Sequence, residues 1–376
     1  MDEEADAADF FWQVTDYRVE GRCLHELSDI IWLVLCGLLV DCEDFEQIYD
    51  YACDKQPVLA QFLSLPAGIP SSYTMQRVFS RLNPVELEAS LTHWGQDILR
   101  VLAGQQLVID GKQVRGTCLP GQRQASVQLV SVWAAAQRLC LAQTQVASKA
   151  NELVAIPQVL DLVEVAGSVV SIDAIGCQRA IATTLVERRA DYVLALKRNQ
   201  RALWEQVQAH LAPVLQQEPA FVSREKDHGR GEERRVWVSR DLRLVEEAAD
   251  WAGLAAVVCV QTRRWQQGRA QHSTRYYLTS LAQASAGELA GYVRGHWSIK
   301  NDLHWHLDVT FAEDACRVCQ GHAPRNLSTL RKLALTLLRR EPTKMSLPRK
   351  RKKAARDDNY LHQLLRQLVP QPPDAN

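Results

Sequence analysis

A mixed α/β fold with an all-helical segment in front of it is what the sequence predicts, on three observations. Apolar residues recur at helical spacing from about Cys23 to Leu102, short β-rich runs separated by turn residues begin at Gln105, and helices then alternate with strands. Three meander strands followed by two helix-linked strands is the ribonuclease H-like order.

Taken in order, "LHELSDIIWLVLCGLLV" is apolar nearly all round and "FEQIYDYACDKQPVLAQFLSL" repeats its apolar residues at helical spacing. Two more helices follow, with Ser72 as an expected N-cap and Pro84 where the second begins. Arg77 and Arg81 project from the first of these, opposite an apolar stripe, a face that suits either plain solvent or a DNA groove. "QLVIDGKQV", "SVQLVSVWAA" and "LCLAQTQV" read as neighbouring strands, "SVVSID" and "DYVLAL" as the helix-linked ones. "RRVWVSRDL", "AAVVCVQTRRW" and "TRYYLTSL" then interrupt the α/β pattern as a β-rich insertion. Helix returns as one run, "AGELAGYVRGHWSIKNDLHWHL", and the last helix, "NLSTLRKLALTLLRR", leads into a basic end. The expected organisation is an acidic N-terminal tail over 1–20, a helical DNA-binding domain over 21–103, a ribonuclease H-like domain over 104–340 with its insertion at about 220–282, and a basic C-terminal tail over 341–376.

Charge gives little away in bulk. Lys plus Arg and Asp plus Glu both number 44 in 376 residues, so no global field draws the chain to nucleic acid or membrane. The charges are segregated, however: "MDEEADAAD" has no base, and "RKRKKAAR" from Arg349 to Arg356 has no acid. Ten cysteines without regular spacing suit reduced thiols. The start lacks a secretory pattern and the longest apolar run, Ile30 to Val40, is too short to span a bilayer, so a cytoplasmic protein with no membrane partner is expected.

The chemistry is expected where carboxylates leave strands. Asp110 closes "LVID" and Asp173 closes "VVSID". An aspartate at a strand end is commonly a turn former. Two on neighbouring strands of one sheet can instead share magnesium, which takes hard oxygen ligands. His296, Lys300 and His304 fall on one helical stripe; zinc there would need further ligands, and a phosphate-facing or structural role fits better. Trp297 and Trp305 suit base stacking or core packing. Cys316 and Cys319 have the spacing of half a zinc knuckle, without a second pair.

The blocks "VIDGKQVRG", "SIDAIGCQ", "DYVLALKRNQ", "HGRGEERR" and "GHWSIKNDLHWHLDVTFAEDACR" resemble the H-repeat-associated type of insertion-sequence transposases, members of the DDE class, and the likeness runs from about Asp16 to Leu364. The resemblance implies metal-dependent DNA cleavage and strand transfer at a two-metal site holding Mg2+ or Mn2+, with Asp110 and Asp173 matching the first two acidic positions. It further implies double-stranded DNA partners, transposon terminal repeats and target DNA, engaged by a homodimer at the bacterial nucleoid. Arg115, Lys197, His296, Trp297, Asn301 and His304 then become candidate DNA contacts near the site. Arg349, Lys350, Arg351, Lys352 and Lys353 of the basic end become phosphate contacts beside it.

One position departs from the pattern. The third acid is normally a glutamate within Ile-Glu-Asn, and here that segment reads Ile299, Lys300, Asn301. On an ideal helix Asp302 lies on the opposite face, Asp308 about 80° off and further along the axis, and Glu313 past the helix end. No neighbour takes the vacated place. A protonated lysine has no lone pair for a metal, so impaired chemistry is expected, at the limit a DNA-binding relict; the alternatives are a site completed by an unexpected ligand and one in which the two aspartates suffice.

Overall fold

Helices form first because the early sequence offers one apolar face after another. The computed structural model of the chain describes residues 10–98, 104–117, 126–146, 152–227, 230–266 and 269–368; the acidic start over 1–9 lies outside them. Helix α1 (Leu27–Leu39) is apolar all round and buried all round. Helix α2 (Phe45–Asp54) starts at Asp44, whose carboxylate accepts the N–H groups of Glu46 and Gln47 at 3.0 and 2.9 Å. A single turn, α3 (Gln56–Leu59), follows instead of the unbroken helix the periodicity suggests. The N-cap of α4 (Ser72–Arg81) is Ser71, one residue earlier than expected, and Pro84 opens α5 (Pro84–Ile98).

Among the described residues nine strands, numbered β1 to β9 along the chain, make one sheet in the order β3-β2-β1-β4-β5-β9-β8-β7-β6. Strands β1 (Gln106–Val114), β2 (Val127–Ala134) and β3 (Leu139–Val146) form the antiparallel meander. Helices α6 (Glu152–Leu160) and α7 (Arg179–Glu187) lead to β4 (Val169–Ile172) and β5 (Asp191–Leu196), both parallel to β1, which completes the ribonuclease H-like arrangement. After α8 (Arg201–Leu211) come β6 (Phe221–Asp227), β7 (Arg230–Ser239), β8 (Ala256–Gln266) and β9 (Arg269–Thr279), and β9 pairs antiparallel with β5. The inserted strands therefore extend the sheet. Val236, Val258, Val260 and Tyr277 bury one side of this extension against Leu289 and Val293 of α9 (Ala286–Gly295). Strand β6 was not legible as a strand: it carries Arg224, Glu225 and Lys226, and such charges blunt an exposed sheet edge.

The expected single helix from Ala286 onward is in three parts. Helix α9 begins with a reciprocal capping box between Ser285 and Glu288, a π-helical turn spans Ile299–His304, and α10 (Trp305–Val309) ends the run. Beyond it α11 (Ala323–Arg340) is buried along most of its length among α1, α4, α5 and β3.

The basic end is structured, contrary to the expected tail: α12 (Leu347–Ala354) and α13 (Asp358–Leu365) pack through Ala354, Tyr360, Leu361 and Leu364. Lys350 and Arg351 are correspondingly withdrawn from any DNA. The Lys350 ammonium donates to the carbonyls of Leu338 and Glu341 at 2.8 and 2.5 Å and pairs with the Glu341 carboxylate at 3.0 Å. Arg351, fully buried, pairs with Asp41 at 2.7 Å, donates to the carbonyls of Leu38 and Cys42 at the end of α1, and stacks over Phe311. Arg349 and Lys352 stay exposed; Lys353 is half-buried, its ammonium 4.1 Å from the Tyr360 ring centre.

The period of two along β1 puts Gln106, Val108, Asp110 and Lys112 on one face, and the segment from α9 onward lies along that face rung by rung. Gln106 donates to Ser171 and to the Tyr292 carbonyl at 2.9 and 2.7 Å, and Gly295 comes so close that a Cβ there would fall 2.0 Å from the Gln106 amide oxygen. Lys112 pairs with Asp308, Glu313 and Asp314 at 2.7, 2.9 and 3.4 Å. Glu313 is fully buried; burial alone would raise its pKa, yet Lys112, Arg331 and Lys332 outweigh that and bring it down to about 2. The same carboxylates overcome the burial of Lys112 and lift it to about 12.

Two stability measurements follow from these buried charges. Arg351→Ala lowers unfolding free energy in urea by about 3–5 kcal/mol, the cost of stranding a buried partner, whereas Arg349→Ala leaves it within about 0.5 kcal/mol. Lys112→Met costs a similar ~3–5 kcal/mol, and adding Glu313→Gln returns a large part of it, because the uncompensated charge is then gone.

Candidate active site

Strand β1 delivers Asp110 and β4 delivers Asp173 to the same end of the sheet. Ile109 and Ile172 are register partners of this parallel pair, so the aspartates that follow them leave side by side on one face. Asp173 is fixed by capping a short turn: its Oδ1 accepts the Ile175 N–H at 3.0 Å. Both line a cavity of about 300 Å³ with Lys300, His304, Asp308 and Glu152.

Asp110 is 9% exposed, and burial pushes its carboxyl up. The Lys300 ammonium pulls it back down, Asp173 and Glu152 push it up again, and the balance is about 6. Lys300 Nζ stands 3.4 Å from Asp110 Oδ2 and 5.4 Å from the Trp297 ring centre. The ammonium is an ion-pair partner without hydrogen-bond alignment, and Oδ2 is buried with no hydrogen bond. His304 Nδ1 lies 3.7 Å from the same oxygen, but burial takes that imidazole down to about 3, so it is neutral and adds no charge. Residues 300 and 304, four apart and so on one face of the run, both come to this atom from within the π-helical turn.

The neighbouring acids are occupied elsewhere. Asp302 faces Arg138 and Arg339 at 3.8 and 3.6 Å on the far side of the helix, while Asp308 and Glu313 are held by Lys112. Glu152 reaches the same cavity from beside Gly111, where a Cβ would meet its carboxylate at 2.6 Å, and is engaged there by Gln128, from which it accepts at 2.5 Å. A buried, unbonded carboxylate oxygen is what a hard cation would fill, and two aspartates supply part of a shell. An ammonium has no lone pair to complete it. Among the described residues no group of three or more His, Cys, Asp or Glu is placed to hold a metal ion, which also leaves Cys316 and Cys319 as free thiols. The residues present do not fit a two-metal centre.

The remaining candidates divide by place. Arg115, exposed, lines the aspartate cavity and its N–H donates to Asp314 at 3.0 Å. Lys197, at the end of β5, joins Asp173, Trp297 and Lys300 around a second, smaller cavity. Asn301 and Trp297 line an open groove beside the inserted strands. His296 turns inward to Ser171, 3.2 Å away, and burial lowers it to about 4, so neither it nor His304 is a cationic phosphate contact at neutral pH. Arg77 and Arg81 are exposed on α4, away from both cavities, opposite buried Met75, Val78 and Phe79. Sequence reasoning missed Lys112, although two-residue alternation from Asp110 signals it, and missed Arg275, which only strand pairing brings near.

Comparison with known proteins bears on this arrangement. The family model described as Transposase DDE domain matches residues 102–337, and the DDE_Tnp_1-associated model matches residues 8–95. The chain is 32% identical over 95% of its length to the transposase-named protein YncI of Escherichia coli O157:H7, of which it covers 93%. It is 31% identical over 94% of its length to the H repeat-associated, transposase-named YhhI of Escherichia coli K12, of which it covers 95%. A solved piggyBac transposase synaptic complex with hairpin DNA is alike at 10% identity and a TM-score of 0.42, over 99% of this chain and 83% of that one. With a matched model over more than half its residues and relatives above 30% identity along nearly all of it, the chain belongs to the DDE transposase family, among those of the H repeat-associated type.

Proposed function

We propose that this DDE-family transposase holds double-stranded DNA, transposon ends and target, while its metal-dependent cleavage and strand transfer are impaired by Lys300. The supporting observation is the ion pair of Lys300 with Asp110 at 3.4 Å, which sets a fixed positive charge where the family pattern has a carboxylate. Divalent magnesium or manganese supplies nucleophile activation and leaving-oxygen stabilisation in such chemistry. Here a metal would have to enter against an ammonium, with Asp110 and Asp173 as ligands, because Asp308 and Asp314 are held by Lys112 and Glu152 by Gln128. Complete loss, a DNA-binding relict, is the limit of the same reading. Bringing two ends together calls for a homodimer or larger assembly, working in the bacterial cytoplasm at the nucleoid. No helix among the described residues is long and apolar enough to cross a membrane.

Donor-end cleavage by purified chain tests the reading. Cleavage by the wild type is slow or absent in magnesium and manganese; Lys300→Glu raises it at least about tenfold, about 1.4 kcal/mol off the barrier; adding Asp173→Ala abolishes the gain. Wild-type cleavage as fast as that of Lys300→Glu refutes impairment, and residual wild-type cleavage that vanishes with Asp173→Ala refutes the relict limit.

A further inference from the structure

The misfit between this site and a two-metal centre has a constructive side. Beside Asp173 lies a cavity of about 190 Å³ whose lining includes Lys197, Arg275, His296, Trp297 and Lys300. Three of these groups are cationic, Asp173 is the carboxylate among the lining residues, and His296 is neutral, its pKa taken down by burial to about 4. Among the described residues neither Lys197 nor Arg275 pairs with a carboxylate, so their charge is uncommitted. Trp297 gathers two of the cations: the Arg275 guanidinium lies 4.7 Å and the Lys300 ammonium 5.4 Å from its ring centre. Strand register brings the third, since Tyr276, next to Arg275, pairs with Leu196, next to Lys197.

Three cations lining one small cavity favour an anion within it, and the cavity opens beside the residue that the family chemistry would act at. We propose that Lys300 is a tethered cation which, with Lys197 and Arg275, forms a phosphate-binding subsite that grips a DNA phosphodiester without any divalent ion. The proposal rests on DNA being the substrate. The ammonium then serves both Asp110 within the sheet face and the phosphate in the cavity, and its side chain is 41% exposed.

Fluorescence anisotropy of a short labelled duplex of random sequence, titrated with full chain in EDTA and in millimolar magnesium, tests this. The wild type binds in EDTA at least as tightly as in magnesium, since the subsite needs no metal and Mg2+ competes for phosphates. Lys300→Gln and Arg275→Gln each weaken binding in EDTA by about tenfold at low salt and reduce the slope of log affinity against log salt by about 0.9, the release expected for one phosphate contact. Lys300→Arg, which keeps the charge, binds as the wild type does, a rescue that a loss of fold would not show. Wild-type binding that requires magnesium, or Lys300→Gln binding with affinity and slope unchanged in EDTA, overturns the subsite while leaving the DNA reading standing. No wild-type binding in either buffer overturns both.

Discussion

A carboxylate taken out of water must meet positive charge or take up a proton, and the face of β1 imposes that demand on everything packed against it. Asp110 is answered by Lys300, and two residues on Lys112 is answered by Asp308, Glu313 and Asp314. The signs alternate along the strand and are matched in order by the segment running from α9 through the π-helical turn to α10. A slip of that segment by one rung would set ammonium against ammonium and carboxylate against carboxylate. Charge matching thus fixes how position 300 stands over the aspartates, and apolar packing by Ile299, Leu303 and Leu307, all fully buried, holds the height.

The same arrangement explains how the fold accommodates a lysine in place of the family's glutamate. Three acids at this end of the sheet would repel one another until a cation arrived. With Lys300 present, Asp110 already has its counter-charge, and burial, with smaller pushes from Asp173 and Glu152, leaves it at about 6. On the proposed reading, stability and chemistry at the site are opposed in this chain: the group that settles the carboxylates would also block a full ligand shell. The exchange adds a positive charge to a cavity that Lys197 and Arg275 also line.

Much of this was legible in the sequence because it depends on local period. Alternation gave the meander strands and put Asp173 at a strand end, whereas Asp110, expected to close its strand, lies inside β1, which runs on to Val114; the family pattern marked position 300. What escaped was what tertiary contact decides. The basic run Arg349–Lys353 looks uniformly solvated in one dimension, yet helical spacing and docking send Lys350 and Arg351 into the interior, where carbonyl groups and Glu341 or Asp41 receive them. The π-helical turn at Ile299–His304 has no signature in apolar spacing. Charged β6 lacks the apolar alternation that marks a strand, because an edge strand has only one neighbour to satisfy.

Manganese uptake measures the central claim without depending on turnover. Electron paramagnetic resonance of free Mn2+, followed as protein is added, distinguishes an occupied cation position from an open one. The wild type is expected to leave the free-ion signal unchanged, and Lys300→Glu to remove it in proportion to protein added. Uptake by the wild type that disappears with Asp173→Ala would show that the ammonium does not hold the place of a metal, and would contradict the account.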